Sequence, residues 1–256
     1  MHFDDYRERF ASVHMERRNR VLEMRLHTRG GPLQWTYEGG AQTDLAGAFE
    51  MVAADAENRV IILTGTGDVF CGPPATYANV PTGGPEQWEK VRENGVRLLT
   101  GLLDIPVPII ACLNGPAYRH AELALLGDVV LASEHAFIQD TAHFVNGLVP
   151  GDGVQLVLQT LLGVARTRHY LLTGQRLDAR ALLHTGVVGE VMPGDRLLPR
   201  AWELAEIFAA RDPLVLRYTR RLLVEPVRRV VRDGLSEGWA LEALAAVAAV
   251  KTPVAK

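Results

Sequence analysis

The feature that most constrains this chain is an alternation of short apolar runs with segments of helical periodicity. Apolar runs at residues 21–27, 60–64 and 106–113 have the length and composition of buried strands. Residues 43–54 and 87–103, which lie between them, carry apolar side chains at helical spacing. Strands that alternate with helices favour a parallel sheet covered by helices through right-handed crossovers. We therefore expect an α/β fold.

The remainder of the chain is predicted to be mostly helical. A short helix at residues 122–126 and a short strand at 129–132 complete the alternating part. Further helices are predicted at residues 154–162, 167–172, 179–184, 197–210, 213–224 and 237–250. We expect a core domain over residues 1–196 and a C-terminal helical segment over residues 197–256.

Charge and cysteine content exclude several classes of function. Lys and Arg total 27 against 30 for Asp and Glu, so the net charge of -3 gives no basic surface for nucleic acid or anionic membrane. Cys71 and Cys112 each lie in an apolar stretch and lack zinc-site spacing. The charged N-terminus lacks the apolar core of a signal peptide, which predicts a cytoplasmic protein. The expected partner is a small molecule or a second copy of the chain.

The order of motifs resembles the crotonase (enoyl-CoA hydratase/isomerase) superfamily over nearly the whole chain. The segments that carry the resemblance are VIILTGTGDVFCG, PVPIIACLNGPA, GLVPGDG, LLTGQRLDARALLHTGVVGEV and the closing helices. The resemblance implies a ββα spiral core and a C-terminal helical segment for trimerisation. It also implies a homotrimer, or a hexamer formed as a dimer of trimers.

Two loops depart from the acyl-CoA-handling members of this superfamily. Those members have a glycine-rich loop before a Glu, where this chain reads GPAYRHAEL and carries Arg119 and His120. The other loop carries Pro73 and Pro74, and proline has no N–H to donate. Both halves of the usual backbone oxyanion hole are therefore altered, which argues against an ordinary enoyl-CoA hydratase.

A more specific resemblance is to the 6-oxocamphor hydrolase group of β-diketone hydrolases. The matching segments are LQWTY, NGPAYRHAEL, DTAHF, LVPGDG and LEALAA. Enzymes of that group cleave a carbon–carbon bond between two ketones without coenzyme A. The resemblance implies a hydrolase that opens a cyclic β-diketone to a keto acid by a retro-Claisen reaction, which requires no metal and no organic cofactor in principle.

The resemblance also suggests catalytic roles. His143 is the candidate base for water, and Asp152 is the carboxylate that would orient it and stabilise the imidazolium. His120 lies where the superfamily has an oxyanion donor, and a side-chain N–H could replace the lost backbone donor. Glu242, in the last predicted helix, could orient His143 or protonate the enolate, at its own site or at that of a neighbouring subunit. Each of these groups could instead be an ordinary loop, turn or surface residue.

Four further residues are candidates for substrate binding. Trp35 could hold a carbonyl with its indole N–H while its ring packs against an alicyclic skeleton, or it could be plain core. Tyr77 and Trp88 could form an apolar wall. Glu122 is at the position of a catalytic Glu in hydratases, and here it could be a vestige, a proton relay or a helix cap.

Three other functions remain open from the sequence. An acyl-CoA hydratase or isomerase would bind coenzyme A, a non-hydrolytic tailoring enzyme would reuse the pocket for other carbon–carbon chemistry, and a silent scaffold would have no activity. The joint presence of His120, His143 and Asp152 argues against the scaffold.

Overall fold

A computed structural model of the chain describes residues 1–74 and 83–251 and has an α/β architecture. Its main sheet has six strands in the order β1-β2-β3-β4-β5-β8, and a second sheet pairs β6 with β7. The strands are β1 Val13–Arg18, β2 Val21–Leu26, β3 Val60–Thr64, β4 Ile109–Leu113, β5 Val129–Ser133, β6 Phe137–Ile138, β7 Leu177–Asp178 and β8 Glu190–Met192. Strand β1 is antiparallel to β2, and the other neighbours in the main sheet are parallel. The predicted parallel α/β fold is confirmed.

The described helices follow the predicted order closely. They are α1 Ala41–Ala54, α2 Pro85–Asp104, α3 Glu122–Leu125, α4 Val154–Leu162, α5 Val164–Thr173, α6 Ala179–His184, α7 Gly194–Ala209 and α8 Pro213–Lys251. Short 3₁₀ helices span Phe3–Asp5 and Phe144–Asn146. Strands β1, β6, β7 and β8 are absent from the sequence-based prediction.

Both faces of the sheet are covered, which explains the continuous apolar runs. All residues of β3 and β4 are buried. On one face, side chains such as Ile62 and Ile110 pack against Leu197 and Ala201 of α7. On the other face, the larger part of the core includes side chains from α1, α2 and α8. A strand buried on both faces has no polar side to alternate with.

The last helix is longer than the sequence predicts. The two predicted helices at residues 213–224 and 237–250 form one continuous helix, α8. Pro226 lies inside it and is exposed, so the carbonyl that loses its N–H partner can bind water. Helix α8 packs against α2 and α4 of its own chain.

Helix α8 also exposes large apolar side chains, including Leu222 at 76% and Leu223 at 70%. Exposed apolar surface of this kind supports the prediction of a homo-oligomer, which stays a prediction together with the domain division near residue 197. Across residues 1–74 and 83–251, no helix combines the length and the apolar character that crossing a membrane requires.

Candidate active site

The candidate site lies at the carboxyl edge of the parallel strands, where the segments after β2, β3, β4 and β5 meet. Backbone bridges join Gln34 to Gly72, Cys71 to Ala117, and Ala117 to Ile138. The loop after β4, residues 114–121, is therefore held between the other segments like an additional strand. Parallel strands bring their C-terminal loops to one edge of a sheet, where ligands of open α/β sheets bind.

His120 is held by a ring and a carboxyl group. Its imidazole stacks on the indole of Trp35 with ring centroids 3.5 Å apart and an interplanar angle of 30°. Its Nδ1 lies 2.8 Å from Oε1 of Glu122. The backbone of His120 has a φ of 51°, in the left-handed region that favours glycine. Backbone strain of this kind concentrates at functional sites, where it aims a side chain.

His143 lies between carboxyl groups on both sides of its ring. Its Nδ1 is 2.9 Å and 3.0 Å from the two carboxylate oxygens of Asp140. On the other side, Nε2 is 3.5 Å from Oδ2 of Asp152 and 3.9 Å from Oε1 of Glu242. The carboxylate hydrogen-bonded to Nδ1 is therefore Asp140, whereas Asp152 faces the opposite nitrogen.

Asp152 connects the two histidines. Its Oδ2 lies 3.5 Å from Nδ1 of His120 as well as 3.5 Å from Nε2 of His143. Its Oδ1 accepts a hydrogen bond from the backbone N–H of Val154, in the first turn of α4. A helix N-terminus favours a carboxylate, so α4 fixes the position of Asp152.

Glu242 reaches the site from helix α8 of the same chain. A Cβ atom added to Gly151 would lie 2.1 Å from the carbonyl oxygen of Gly238, and one added to Gly238 would lie 2.4 Å from the carbonyl oxygen of Gly151. Only glycine at both positions permits this approach of loop and helix. Glu242 follows Gly238 by one helical turn and therefore lies on the same face of α8.

Burial sets the protonation of the carboxyl groups at the site. It raises the pKa of Glu122 to about 7 and that of Glu242 to about 8. Burial also raises the pKa of Asp152. Asp140 behaves in the opposite way, because His143 and two backbone N–H groups outweigh burial and lower its pKa.

The two histidines differ in their protonation. Burial lowers the pKa of His120 to about 3, so its ring is neutral. Burial also disfavours the charged form of His143, but the carboxylates of Asp152 and Asp140 outweigh it and hold the pKa of His143 well above its ordinary value. The site thus pairs a neutral imidazole with an imidazolium, and such separated pKa values are typical of catalytic acid–base groups.

Several buried polar atoms at the site have no hydrogen-bond partner within residues 1–74 and 83–251. They are Nε1 of Trp35, Oε2 of Glu122, and Oε2 of Glu242. Buried polar groups in proteins are almost always hydrogen-bonded. Unpartnered donors and acceptors in one cluster therefore indicate a place for a polar ligand or water.

The same cluster contains a possible set of metal ligands. His120, Glu122 and Asp152 each offer one ligand atom, and these atoms lie within 4.8 Å of one another. The set is also explained without a cation, because His120 and Glu122 share a hydrogen bond and burial favours protonated carboxyl groups. The sequence-based prediction of no metal stays a prediction.

The structure brings together His120, His143, Asp152, Glu122, Trp35 and Glu242. Trp88 is buried and borders a cleft between α2 and α8. Within the described part of the chain, no hydrogen bond or ring contact joins Trp88 to the histidines, and its role stays a prediction. Tyr77 lies outside the described residues.

Two residues at the site were missed from the sequence. Asp140 begins the segment DTAHF, and the spacing of three residues before His143 was the available signal. Tyr37 is half-buried, and its pKa is raised by burial and further by the carboxylates of Glu242 and Asp152, while Arg119 opposes the shift. Tyr37 therefore lies near the same cluster, two residues after Trp35.

Comparisons with known proteins place this geometry in context. The sequence profile described as enoyl-CoA hydratase/isomerase matches residues 16–243. Carnitinyl-CoA dehydratase from Proteus mirabilis is 30% identical over 234 residues, covering 88% of this chain and 87% of the relative. The dehydratase of that name from Salmonella enteritidis is 30% identical over 262 residues, covering 96% and 98%.

Solved structures give a second comparison. A β-diketone hydrolase from the cyanobacterium Anabaena, bound to (S)-3-oxocyclohexyl acetic acid, superposes with a TM-score of 0.90 at 37% identity, covering 95% of this chain and 97% of the other. An enoyl-CoA hydratase/isomerase from Mycobacterium paratuberculosis superposes with a TM-score of 0.84 at 21% identity, covering 93% and 94%. The latter likeness concerns the fold alone.

Proposed function

The chain belongs to the enoyl-CoA hydratase/isomerase (crotonase) family, and we propose that it is a member that hydrolyses a carbon–carbon bond of a cyclic β-diketone. The observation that carries the proposal is the histidine pair joined by Asp152. One imidazole is neutral and stacked on a tryptophan whose N–H has no partner, and the other is charged between carboxyl groups. Hydrolysis of a diketone needs a donor to a carbonyl oxygen and a base for water, and the neutral imidazole can be the donor while the Asp152 carboxylate, paired with the imidazolium, can be the base.

In the first step, water adds to one carbonyl carbon of the diketone. His143 and Asp152 act together as the base. Because the pKa of His143 is well above its ordinary value, the carboxylate of Asp152 is the group that accepts the proton, and the imidazolium stabilises that carboxylate. Asp140 holds the ring through Nδ1, as the aspartate of a catalytic triad does.

The oxygen of the attacked carbonyl becomes an oxyanion and needs donors. Nε1 of Trp35 is a buried donor without a partner, and Nε2 of His120 makes no hydrogen bond within the described residues. These two N–H groups, on stacked rings, take the place of the backbone donors that Pro73 and the altered loop at Arg119 cannot supply. Each such donor contributes about 2.7 to 4 kcal/mol to the stabilisation of the transition state.

Collapse of the tetrahedral intermediate breaks the carbon–carbon bond. The bonding electron pair leaves with the α-carbon and is delocalised onto the second carbonyl as an enolate. Glu242 retains a proton at neutral pH, because burial raises its pKa to about 8, and it can protonate the α-carbon. Water thus supplies the hydroxyl of the new carboxylic acid and replaces the proton that Glu242 gives up.

The alternative function is dehydration or hydration of an acyl-CoA, and the names of the curated relatives favour it. Those enzymes act on coenzyme A thioesters, as their names state. Against it stand the prolines at 73 and 74 and the left-handed His120, at positions where backbone N–H groups would hold a thioester oxygen. A non-hydrolytic crotonase-type tailoring activity is a further alternative.

The test is incubation of the purified protein, without coenzyme A or added metal, with mono- and bicyclic β-diketones in ¹⁸O-labelled water. Mass spectrometry should detect ring-opened keto acids that carry one ¹⁸O in the carboxylate. A parallel panel of acyl-CoA substrates should give no turnover. Unchanged diketones together with saturable turnover of an acyl-CoA would refute the hydrolase and support the alternative.

The same assay tests the prediction of metal independence. Turnover of the diketone should be unchanged after dialysis against EDTA. Zn²⁺ should inhibit, because it would occupy His120, Glu122 and Asp152, which the reaction needs as hydrogen-bonding groups and base. Loss of activity on chelation, restored by one divalent metal, would contradict it.

A further inference from the structure

Arg119 is a buried cation that forms no ion pair with the residues described by the structure. It precedes His120 in the loop after β4, and it is only 3% exposed. Its Nε and Nη1 atoms are fully buried and have no hydrogen-bond partner among the described residues. In the described part of the chain no carboxylate oxygen lies within 4 Å of its guanidinium.

Arg220 is a second buried arginine, and unlike Arg119 it has a counter-charge and backbone acceptors, although its Nη2 has no hydrogen-bond partner among the described residues. It is 2% exposed, its Nε donates to Oδ2 of Asp128 at 2.7 Å, and its Nη1 donates to the carbonyl oxygen of Leu103 at 3.1 Å. Uncompensated burial of a charge costs several kcal/mol, so proteins normally provide such partners. Arg119 lacks them.

The charge of Arg119 acts on the candidate site. Burial is the larger influence on the pKa values of Tyr37, His120 and Glu122. The positive charge of Arg119 opposes the rise that burial causes in Tyr37 and Glu122, and it adds to the fall in His120. Burial raises the pKa of Glu122 to about 7, so below that pH its carboxyl group offers little negative charge to Arg119 in return. A guanidinium with free donors therefore adjoins a site whose own polar atoms lack partners.

We propose that Arg119 binds the anionic oxygen of the ligand, namely the enolate oxygen that forms at the second carbonyl when the carbon–carbon bond breaks. This inference rests on the proposed hydrolysis. The guanidinium stabilises the negative charge that the departing electron pair places on this oxygen. Trp35 and His120 donate hydrogen bonds to the other carbonyl oxygen. A hydrogen bond from a guanidinium N–H to an anionic oxygen is charge-assisted and about twice as strong as one between neutral groups.

A direct consequence is a preference for anionic ligands over neutral ones of the same shape. Cyclohexane-1,3-dione is an enolate at pH 7.5, whereas cyclohexanone is neutral. Isothermal titration calorimetry at that pH should show that the protein binds the enolate at least about tenfold more tightly than the neutral ketone, the range of a hydrogen bond to a charged group. The affinity for the dione should fall as the pH is lowered through the dione's own pKa.

Variants assign that preference to Arg119. Arg119→Met should lose it by about tenfold or more, Arg119→Lys should retain part of it, and the exposed control Arg166→Met should behave like the wild type. Circular dichroism checks that each variant folds, and if Arg119→Met does not fold, the Lys variant and the pH dependence of the wild type decide. A wild type that prefers cyclohexanone, or an Arg119→Met protein with undiminished affinity for the enolate, would overturn the inference.

The outcomes separate this inference from the proposed reaction. Hydrolysis of diketones by the wild type combined with normal enolate binding by Arg119→Met would leave the reaction standing and remove the role of Arg119. Arginine-dependent binding of the enolate without hydrolysis of any diketone would leave an anion site and refute the reaction.

Discussion

Nδ1 of His120 and Oε1 of Glu122 lie 2.8 Å apart, and this hydrogen bond decides which ring nitrogen of His120 carries a proton. A neutral imidazole has one donor and one acceptor nitrogen. Burial raises the pKa of Glu122 to about 7, so below that pH the carboxyl group can donate its proton to Nδ1. Nε2 then carries the hydrogen and can donate to the substrate.

Glu122→Gln should therefore retain most activity. The amide N–H of Gln can donate to Nδ1 as the protonated carboxyl does, and it does so at every pH. In the wild type, kcat should fall as the pH rises through about 7, because ionised Glu122 reverses the hydrogen bond and turns Nε2 into an acceptor. Profiles of kcat against pH should show this fall in the wild type and its absence in Glu122→Gln.

The matched variant Glu122→Leu removes the hydrogen bond while keeping a similar volume. It should lower kcat by about 10²- to 10³-fold, the usual effect of losing one oxyanion donor. Equal activity of the Leu and Gln variants would contradict the assignment of the His120 tautomer.

Asp140→Asn and Asp152→Asn should both lower kcat, by about 10²- to 10⁴-fold, because each removes a carboxylate beside His143. Both should also lower the pKa of His143, since the two carboxylates hold it above its ordinary value. NMR titration of the imidazole measures that shift directly. His143→Ala should abolish turnover, and the exposed Asp233→Asn serves as the control. An unchanged His143 titration in both Asn variants would exclude the proposed pairing.

The pattern of apolar residues in the sequence predicted the strands that are buried on both faces. Strands β3 and β4 are buried on both faces, and their continuous apolar runs are visible in the sequence. Strand β8 has only three residues of intermediate burial, and it depends on pairing with β5, which no local pattern reveals. The continuity of α8 through Pro226 was missed because proline usually ends a helix.

The site residues were predicted by motif resemblance, and their pairing was not. Asp152 was expected to orient His143, but the atom bonded to Nδ1 belongs to Asp140, and this follows from a turn in which the Asp140 carboxylate also accepts backbone N–H groups. Which chain would supply Glu242 was likewise undecided. That answer depends on the contact between Gly151 and Gly238, a tertiary relationship between distant segments.

Glu242→Gln should be more stable than the wild type at pH 8, and the difference in stability between the two proteins should be smaller at pH 5. Burial raises the folded-state pKa of Glu242 to about 8, so between pH 4.5, the ordinary pKa of the group, and pH 8 the folded state holds a proton that the unfolded state has lost. By linkage, the free energy of unfolding then falls as the pH rises from about 4.5 to 8, by an amount of order 4 kcal/mol. Glutamine does not titrate, so the variant does not lose this part of the free energy of unfolding as the pH rises.

Urea unfolding of both proteins at pH 5 and pH 8 measures the difference. Because Glu237 is exposed on the same helix, Glu237→Gln is the control and should give no pH-dependent difference. A stability difference between Glu242→Gln and the wild type that does not grow with pH would show that Glu242 is not a buried, protonated carboxyl group.

Gly238→Ala tests whether the position of α8 matters for catalysis. A Cβ at residue 238 would lie 2.4 Å from the carbonyl oxygen of Gly151, which is backbone and cannot move aside alone, so α8 must shift away from the loop and carry Glu242 with it. We expect kcat to fall by at least about tenfold, because small misplacements of reacting groups have large effects on rate.

The control is Gly234→Ala, one turn earlier in α8, where the added Cβ would meet the end of the flexible Leu156 side chain at 2.9 Å instead. It should keep wild-type kcat and gain up to about 1 kcal/mol of helix stability. Steady-state kinetics and thermal unfolding of the two variants give the comparison, and equal kcat values would mean that the approach of α8 to Gly151 does not position Glu242 for the reaction.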